Sequence, residues 1–377
     1  MRQPALGDNG EPESPFWSRK VLLRRGYIAL ALALVAACGL PARANAATIG
    51  FAAPLSGFAE RLGRQMEAGV RAAAAAGHTI IAADTACSAE GGEAAARNMI
   101  SEGAAIVVGF MCTEALEAAL PLLTQANIPV VTPGVRTDAL TDSREKTGWL
   151  IWRTAPRADA ERTAAGNIIP RRWRAEFFAI VDDGTILARE LAETVRLQAE
   201  LAGLEPVFID TFRPQLPNQI GLAGRLKRTG ATHVFIGGDR QDAAILARDL
   251  AELDAPMTLA GGEALVRDTS DIRLPPGTLA VAMPDPNDAL PDGIRASLAA
   301  GGIVAEGYVT PGFIAASIAL QAIGNGAPET AQGWHERLDG RTFETPAGTL
   351  AFNATGDRAQ NPYRLLRFNG ADWEIVE

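Results

Sequence analysis

"IVVGFMCTEALEAAL", Ile106 to Leu120, holds a strand and the start of a helix in one short stretch. The apolar run ends at Gly109. A cysteine, Cys112, follows at the strand tip, and Thr113 stands where a helix could begin and be capped. Two questions come from these residues. One is whether strand-then-helix is the rule along the chain. The other is whether Cys112 is a nucleophile, a metal ligand or half of a disulfide.

The rule holds on both sides. Before it lie "TIGFAA" (48–53, strand), "ERLGRQMEAGVRAAAAAG" (60–77, helix), "HTIIAAD" (strand) and "EGGEAAARNMISEG" (helix). After it, "TEALEAALPLLTQAN" reads as a helix with Pro121 as a kink, and "IPVVTP" as a strand. This βαβαβαβ rhythm predicts a parallel sheet with helices on both faces. It restarts near Asp159 and yields "AEFFAIVDD", "EPVFIDTF", "THVFIGG" and "PMTLAGG" as strands between helices. A segment rich in Pro and Asp, Met283 to Pro291, precedes two or three more helices. Short strands "TFET", "GTLAFN", "YRLLRFNG" and "WEIVE" end the chain. The predicted class is α/β, with two doubly wound units. Ligands of such sheets sit outside the carboxyl ends of the strands, here near Ala53–Ser56, Gly109–Thr113, Thr132–Arg136, Asp182–Thr185, Gly237–Asp239 and Gly261–Glu263.

With 377 residues, 47% hydrophobic and 21% charged, the chain is long enough for two domains. Its net charge of −9 excludes an extended phosphate-binding surface, and "RRWR" (Arg171–Arg174) is the one compact basic cluster. Residues 1–46 read as a signal peptide. Arg19, Lys20, Arg24 and Arg25 precede an apolar core near Tyr27–Leu40, and Ala44-Asn45-Ala46 is an A-x-A cleavage pattern. That core is short for a membrane span of roughly 20 residues. Export to the periplasm is expected, with a second processing route open. "VAAC" (Val35–Cys38) resembles a lipobox, which would make Cys38 a lipid anchor.

Cys87 and Cys112 then remain, an even pair in an oxidising compartment, for which a disulfide is the simplest reading. A thiol nucleophile would need one of His78, His233 or His335 nearby in space, and Gly109–Thr113 lacks the second Gly of a nucleophile elbow. A metal site would need further Cys or His partners.

The chain resembles the type I periplasmic solute-binding proteins of branched-chain amino acid ABC transporters, the leucine/isoleucine/valine-binding group. The resemblance rests on "IGFAAPLSG" (49–57), "ADTACS" with "AARNMISEGAAIVVGFMC" (83–112), "IPVVTPG" (128–134), "RTAPRAD" (153–159) and "GGEAL" (261–265), in that order. It implies two lobes, 48–154 plus 284–341 and 155–283 plus 342–377, joined by a three-crossover hinge. It also implies a disulfide at Cys87 and Cys112. The function it implies is that of a clamp, not an enzyme. It implies no cofactor and no metal. A monomer would deliver a small ligand to an ABC permease in the inner membrane, with no nucleic-acid partner.

Site residues carried over from the resemblance are Thr113 for a ligand carboxylate, Gly134 as a backbone acceptor for an ammonium, Glu263 as the carboxylate pairing with that ammonium, and Tyr308 as an aromatic wall. A free helix N-terminus suits an anion beside Thr113. Four positions depart from the family pattern. Arg136 replaces a Thr that touches both ligand head groups, and Leu62, Leu187 and Asp239 replace wall tyrosines. An arginine can grip a carboxylate bidentately. The expected ligand is therefore an amino acid or a related small carboxylate.

Overall fold

The computed structural model describes residues 47–74, 77–267 and 272–376. The expected signal peptide and Cys38 lie outside these residues.

Five parallel strands form the first sheet: β1 (Thr48–Ala53), β2 (Thr79–Asp84), β3 (Ile106–Gly109), β4 (Val130–Thr132) and β5 (Ile151–Arg153), in the order β2-β1-β3-β4-β5. The second sheet holds β6 (Phe178–Asp182), β7 (Phe208–Thr211), β8 (His233–Gly237), β9 (Thr258–Gly261) and β10 (Leu279–Ala282). It is extended by antiparallel β13 (Arg364–Phe368) and β14 (Trp373–Ile375), in the order β14-β13-β10-β9-β8-β6-β7. A hairpin of β11 (Thr342–Thr345) and β12 (Gly348–Ala351) stands apart. The chain passes between the sheets three times: after β5, after β10 and after β12.

Among the described residues, ten helices of two or more turns cover the sheets: α1 (Glu60–Ala73), α2 (Ala89–Ser101), α3 (Thr113–Gln125), α4 (Ala160–Arg172), α5 (Ile186–Leu201), α6 (Ile220–Thr229), α7 (Arg240–Glu252), α8 (Asp292–Ala300), α9 (Val309–Ile323) and α10 (Ala331–Leu338). Strand alternation explains the layering. Ile49, Phe51, Val108, Val131 and Trp152 face α1 and α9, whereas Ala52, Val107, Val130 and Ile151 face α2 and α3. Both faces are covered, so the strands read as continuous apolar runs. The second sheet is sandwiched in the same way.

Two departures from expectation have local causes. Strands β5 and β10 were not apparent in the sequence: β5 ends on a charged residue, Arg153, and the Leu-Ala-Val-Ala of β10 suits a helix as well as a strand. The hairpin β11–β12, which the expected division puts in the second lobe, packs Phe343 and Leu350 into the first sheet's core, together with Phe352 just beyond it.

Candidate functional site

The carboxyl edges of the two sheets face each other, as one side chain demonstrates. Arg136 lies in the loop after β4 and reaches the second lobe. Its Nη2 donates to the Tyr363 hydroxyl at 2.7 Å and lies 3.6 Å from Met283 Sδ. Its Nη1 is 3.5 Å from Glu263 Oε2, an ion pair between the lobes. Its backbone carbonyl accepts from Ala158 N–H at 2.8 Å. Arg136 therefore contacts each of the three crossings or the residue that ends one of them. Burial opposes its charge, but Tyr363 and Glu263 outweigh burial and raise its pKa.

Glu263 opens a single turn just past β9. Its Oε2 accepts from Tyr363 Oη at 2.6 Å, and its N–H donates to Glu161 Oε1 at 2.7 Å. Burial first, and then the neighbouring Glu263 charge, push the Tyr363 hydroxyl up, so Tyr363 stays a donor. Burial likewise raises the Glu161 carboxyl; the bond from Glu263 N–H opposes this, and the Glu263 charge adds to it. Gly262 makes that contact possible, since a Cβ there would lie 2.2 Å from Glu161 Oε1.

Thr113 is the first residue of α3. Cys112, not Thr113, occupies the cap position, with no side-chain capping bond. The Thr113 hydroxyl is thus free of the expected capping role and lies 2.7 Å from Thr137 Oγ1, next in sequence to Arg136. The first N–H groups of a helix have no partners within it, so Thr113 combines a hydroxyl with a helix start. A disulfide joins Cys87 and Cys112 with Cα atoms 5.2 Å apart, and it ties this helix start to the loop after β2. Gly134 lies against the same loop, where an added Cβ would stand 2.5 Å from Phe110 O. Tyr308, just before α9, is close enough for the Arg136 and Glu263 charges to act on it, and burial raises its pKa.

The structure thus brings Thr113, Gly134, Arg136, Glu263 and Tyr308 to one place. Asp239 is placed differently. It caps α7, accepting from Asp242 N–H at 2.8 Å, and its neighbours are acidic. Leu62 and Leu187 are exposed, the latter 80% so, and Phe58 beyond β1 is 92% exposed. They follow the carboxyl ends of β1 and β6 in the chain. Sequence reasoning missed Tyr363, Glu161 and Met283. The chain has only three tyrosines, which was the sole hint for Tyr363.

Among the described residues no cluster of His, Cys, Asp and Glu could hold a metal. A groove of about 590 Å³ between α1 and residues 302–309 lies beside Tyr308, whose N–H donates to the groove's Gln65 at 3.4 Å. Its Arg61 and Glu306 already pair with each other at 3.0 Å.

A family profile described as periplasmic binding protein matches residues 46–372, and the chain belongs to that family. A Pseudomonas aeruginosa protein named amino acid binding protein is 28% identical over 93% of this chain and 97% of its own. The leucine-, isoleucine-, valine-, threonine- and alanine-binding protein of Pseudomonas aeruginosa is 26% identical, covering 73% of this chain and 74% of its own. Two solved structures share the fold at 18% identity, each over 88% of this chain. One is an ABC transporter substrate-binding protein from Desulfitobacterium hafniense in complex with Leu, TM-score 0.62, covering its whole chain. The other is a solute-binding protein from R. palustris in complex with 4-hydroxybenzoate, TM-score 0.62, covering 96% of its chain.

Proposed function

We propose that this chain is the substrate-binding component of an ABC importer. It takes an amino acid or a related small carboxylate between its lobes, closes about the crossings, and delivers the solute to a membrane permease. The observation that carries this reading is the meeting of Arg136 with Glu263 across the lobes, beside Thr113 at a helix start. Together they offer a cation, an anion and a hydroxyl with free N–H groups within one cleft. That set complements an ammonium and a carboxylate held a few bonds apart. In this reading Thr113 and Arg136 hold the carboxylate, Glu263 and the backbone at Gly134 hold the ammonium, and Tyr308 walls the pocket. Asp239 borders the far side.

Hinge closure is the whole of the mechanism. The exposed Phe58 and Leu62 of one lip and Leu187 of the other lose water as the lips approach, which favours the closed, loaded state. The leader-like residues 1–46 support work in the periplasm, with release by cleavage after Ala46 or anchoring through Cys38.

A thermal-shift panel of amino acids, amides and small carboxylates tests the reading. Ligand at 100 times its Kd stabilises by about 2.7 kcal/mol. Glu263→Ala should then weaken an amino-acid ligand by more than about 1 kcal/mol, the worth of a charge-assisted bond. Unchanged affinity in calorimetry would remove Glu263 from the ligand site.

A further inference from the structure

The Glu263 carboxylate has a cation of the protein's own against it. Its Oε2 takes the Tyr363 hydroxyl at 2.6 Å and has Arg136 Nη1 at 3.5 Å. Among the described residues, no hydrogen-bond donor reaches Oε1. The Arg136 contact is loose: it is longer than a hydrogen bond, and both side chains keep access to water, at 34% and 24% exposure. A half-buried pair at this distance holds less firmly than a direct hydrogen-bonded one. The firm bond of Arg136 is the one to Tyr363, a neutral group, at 2.7 Å. The guanidinium can thus swing off Glu263 while staying anchored at Tyr363.

We infer that Arg136 is a resident counter-ion: it pairs with Glu263 until a solute's ammonium takes its place, and then passes to the solute's carboxylate. Tyr363 is the pivot, bonded to both partners before and after the exchange. The inference rests on the amino-acid reading above and adds a rule of selection. A carboxylate without an amine draws Arg136 away and leaves Glu263 partly buried with no cation. An amine without a carboxylate takes Glu263 and strands Arg136. Only a solute bearing both groups leaves both Arg136 and Glu263 paired, and partly buried unpaired charges are costly. Arg136 and Tyr363 are then specificity-determining residues, although neither needs to contact the solute's side chain.

The test uses calorimetry on the mature protein with three probes: L-leucine, 4-methylpentanoate (its des-amino counterpart) and 3-methylbutylamine (its decarboxylated one). If another amino acid shifts the wild-type melting temperature more, the corresponding trio is used. Wild type should bind the amino acid at least 100-fold more tightly than either counterpart. Arg136→Gln should move the counterparts in opposite directions: the carboxylate weaker and the amine tighter, each by at least threefold. A folding defect would weaken both. Arg136→Lys, which keeps the charge, should retain the wild-type order of preference with lower affinity. Counterparts that move together in Arg136→Gln overturn the exchange. So does a carboxylate that binds wild type as tightly as the amino acid, and that result leaves solute binding itself standing. A wild type that binds no amino acid and no small carboxylate overturns both.

Discussion

Arg153 and Asp357 form a buried ion pair between the first and third crossings, with Arg153 Nε 2.9 Å from Asp357 Oδ1 and the guanidinium wholly buried. The remaining donors are also used. Nη1 bonds Thr137 O at 2.6 Å and Nη2 bonds Thr141 Oγ1 at 2.6 Å, while Arg157 Nη1 bonds Asp357 Oδ2 at 3.1 Å. The Thr137 that backs Thr113 is therefore fixed to the crossings by Arg153.

Removing the acid leaves a buried guanidinium unpaired, which costs about 3–5 kcal/mol. Asp357→Ala should lower denaturant stability by that amount, and Asp357→Asn by less, because an amide oxygen still accepts. A loss below about 1 kcal/mol in urea unfolding would show that the pair does not brace the crossings.

The Cys87–Cys112 disulfide closes a loop over a sequence separation of 25. Chain-entropy arguments give such a crosslink roughly 3 kcal/mol. Unfolding with and without dithiothreitol should differ by about that much, and Cys87→Ser should match the reduced protein. Coincident curves would mean that the bridge adds nothing to stability.

The α/β alternation was legible because each buried strand is an apolar run and each helix carries its own period. The cysteine pair was legible from its count and compartment. What was not legible depends on distant partners. Arg153 is a charge inside a strand, acceptable only because Asp357 lies 204 positions away. Tyr363 joins the site across 100 positions to Glu263 and 227 to Arg136. Thr113 showed the residue type of a helix cap, yet the backbone begins the helix one residue earlier relative to it. Its hydroxyl faces Thr137 as a result.

Gly134 admits no side chain. A Cβ would stand 2.5 Å from Phe110 O, which forces a shift, and 3.0 Å from Met111 Cα, both backbone atoms. Gly134→Ala should force the loop that carries Arg136 away from the start of α3, costing about 1–3 kcal/mol, as overpacking does. Ligand affinity should fall with it, read by calorimetry. Native stability in this variant would show that the loop yields without cost.

Asp242 gives a pH dependence of definite sign. It lies in the first turn of α7 and is 1% exposed; Oδ1 accepts from Gln215 N–H at 2.9 Å, and Oδ2 has no partner. Burial is the main cause that pushes its carboxyl up to about 6; the Gln215 bond opposes this, and Asp239 and Asp183 add to it. In the unfolded chain the group titrates at about 3.9. The folded state therefore holds this proton more tightly. The stability it confers is complete below about pH 3.9 and is lost as the pH rises through about 6. The gap between those values caps the effect at about 3 kcal/mol. Asp242→Asn abolishes this titration and leaves the other acids in place. The melting temperature of wild type relative to Asp242→Asn should rise as the pH falls from 7 to 4. Parallel melting curves across that range would show that Asp242 titrates as an ordinary carboxylate.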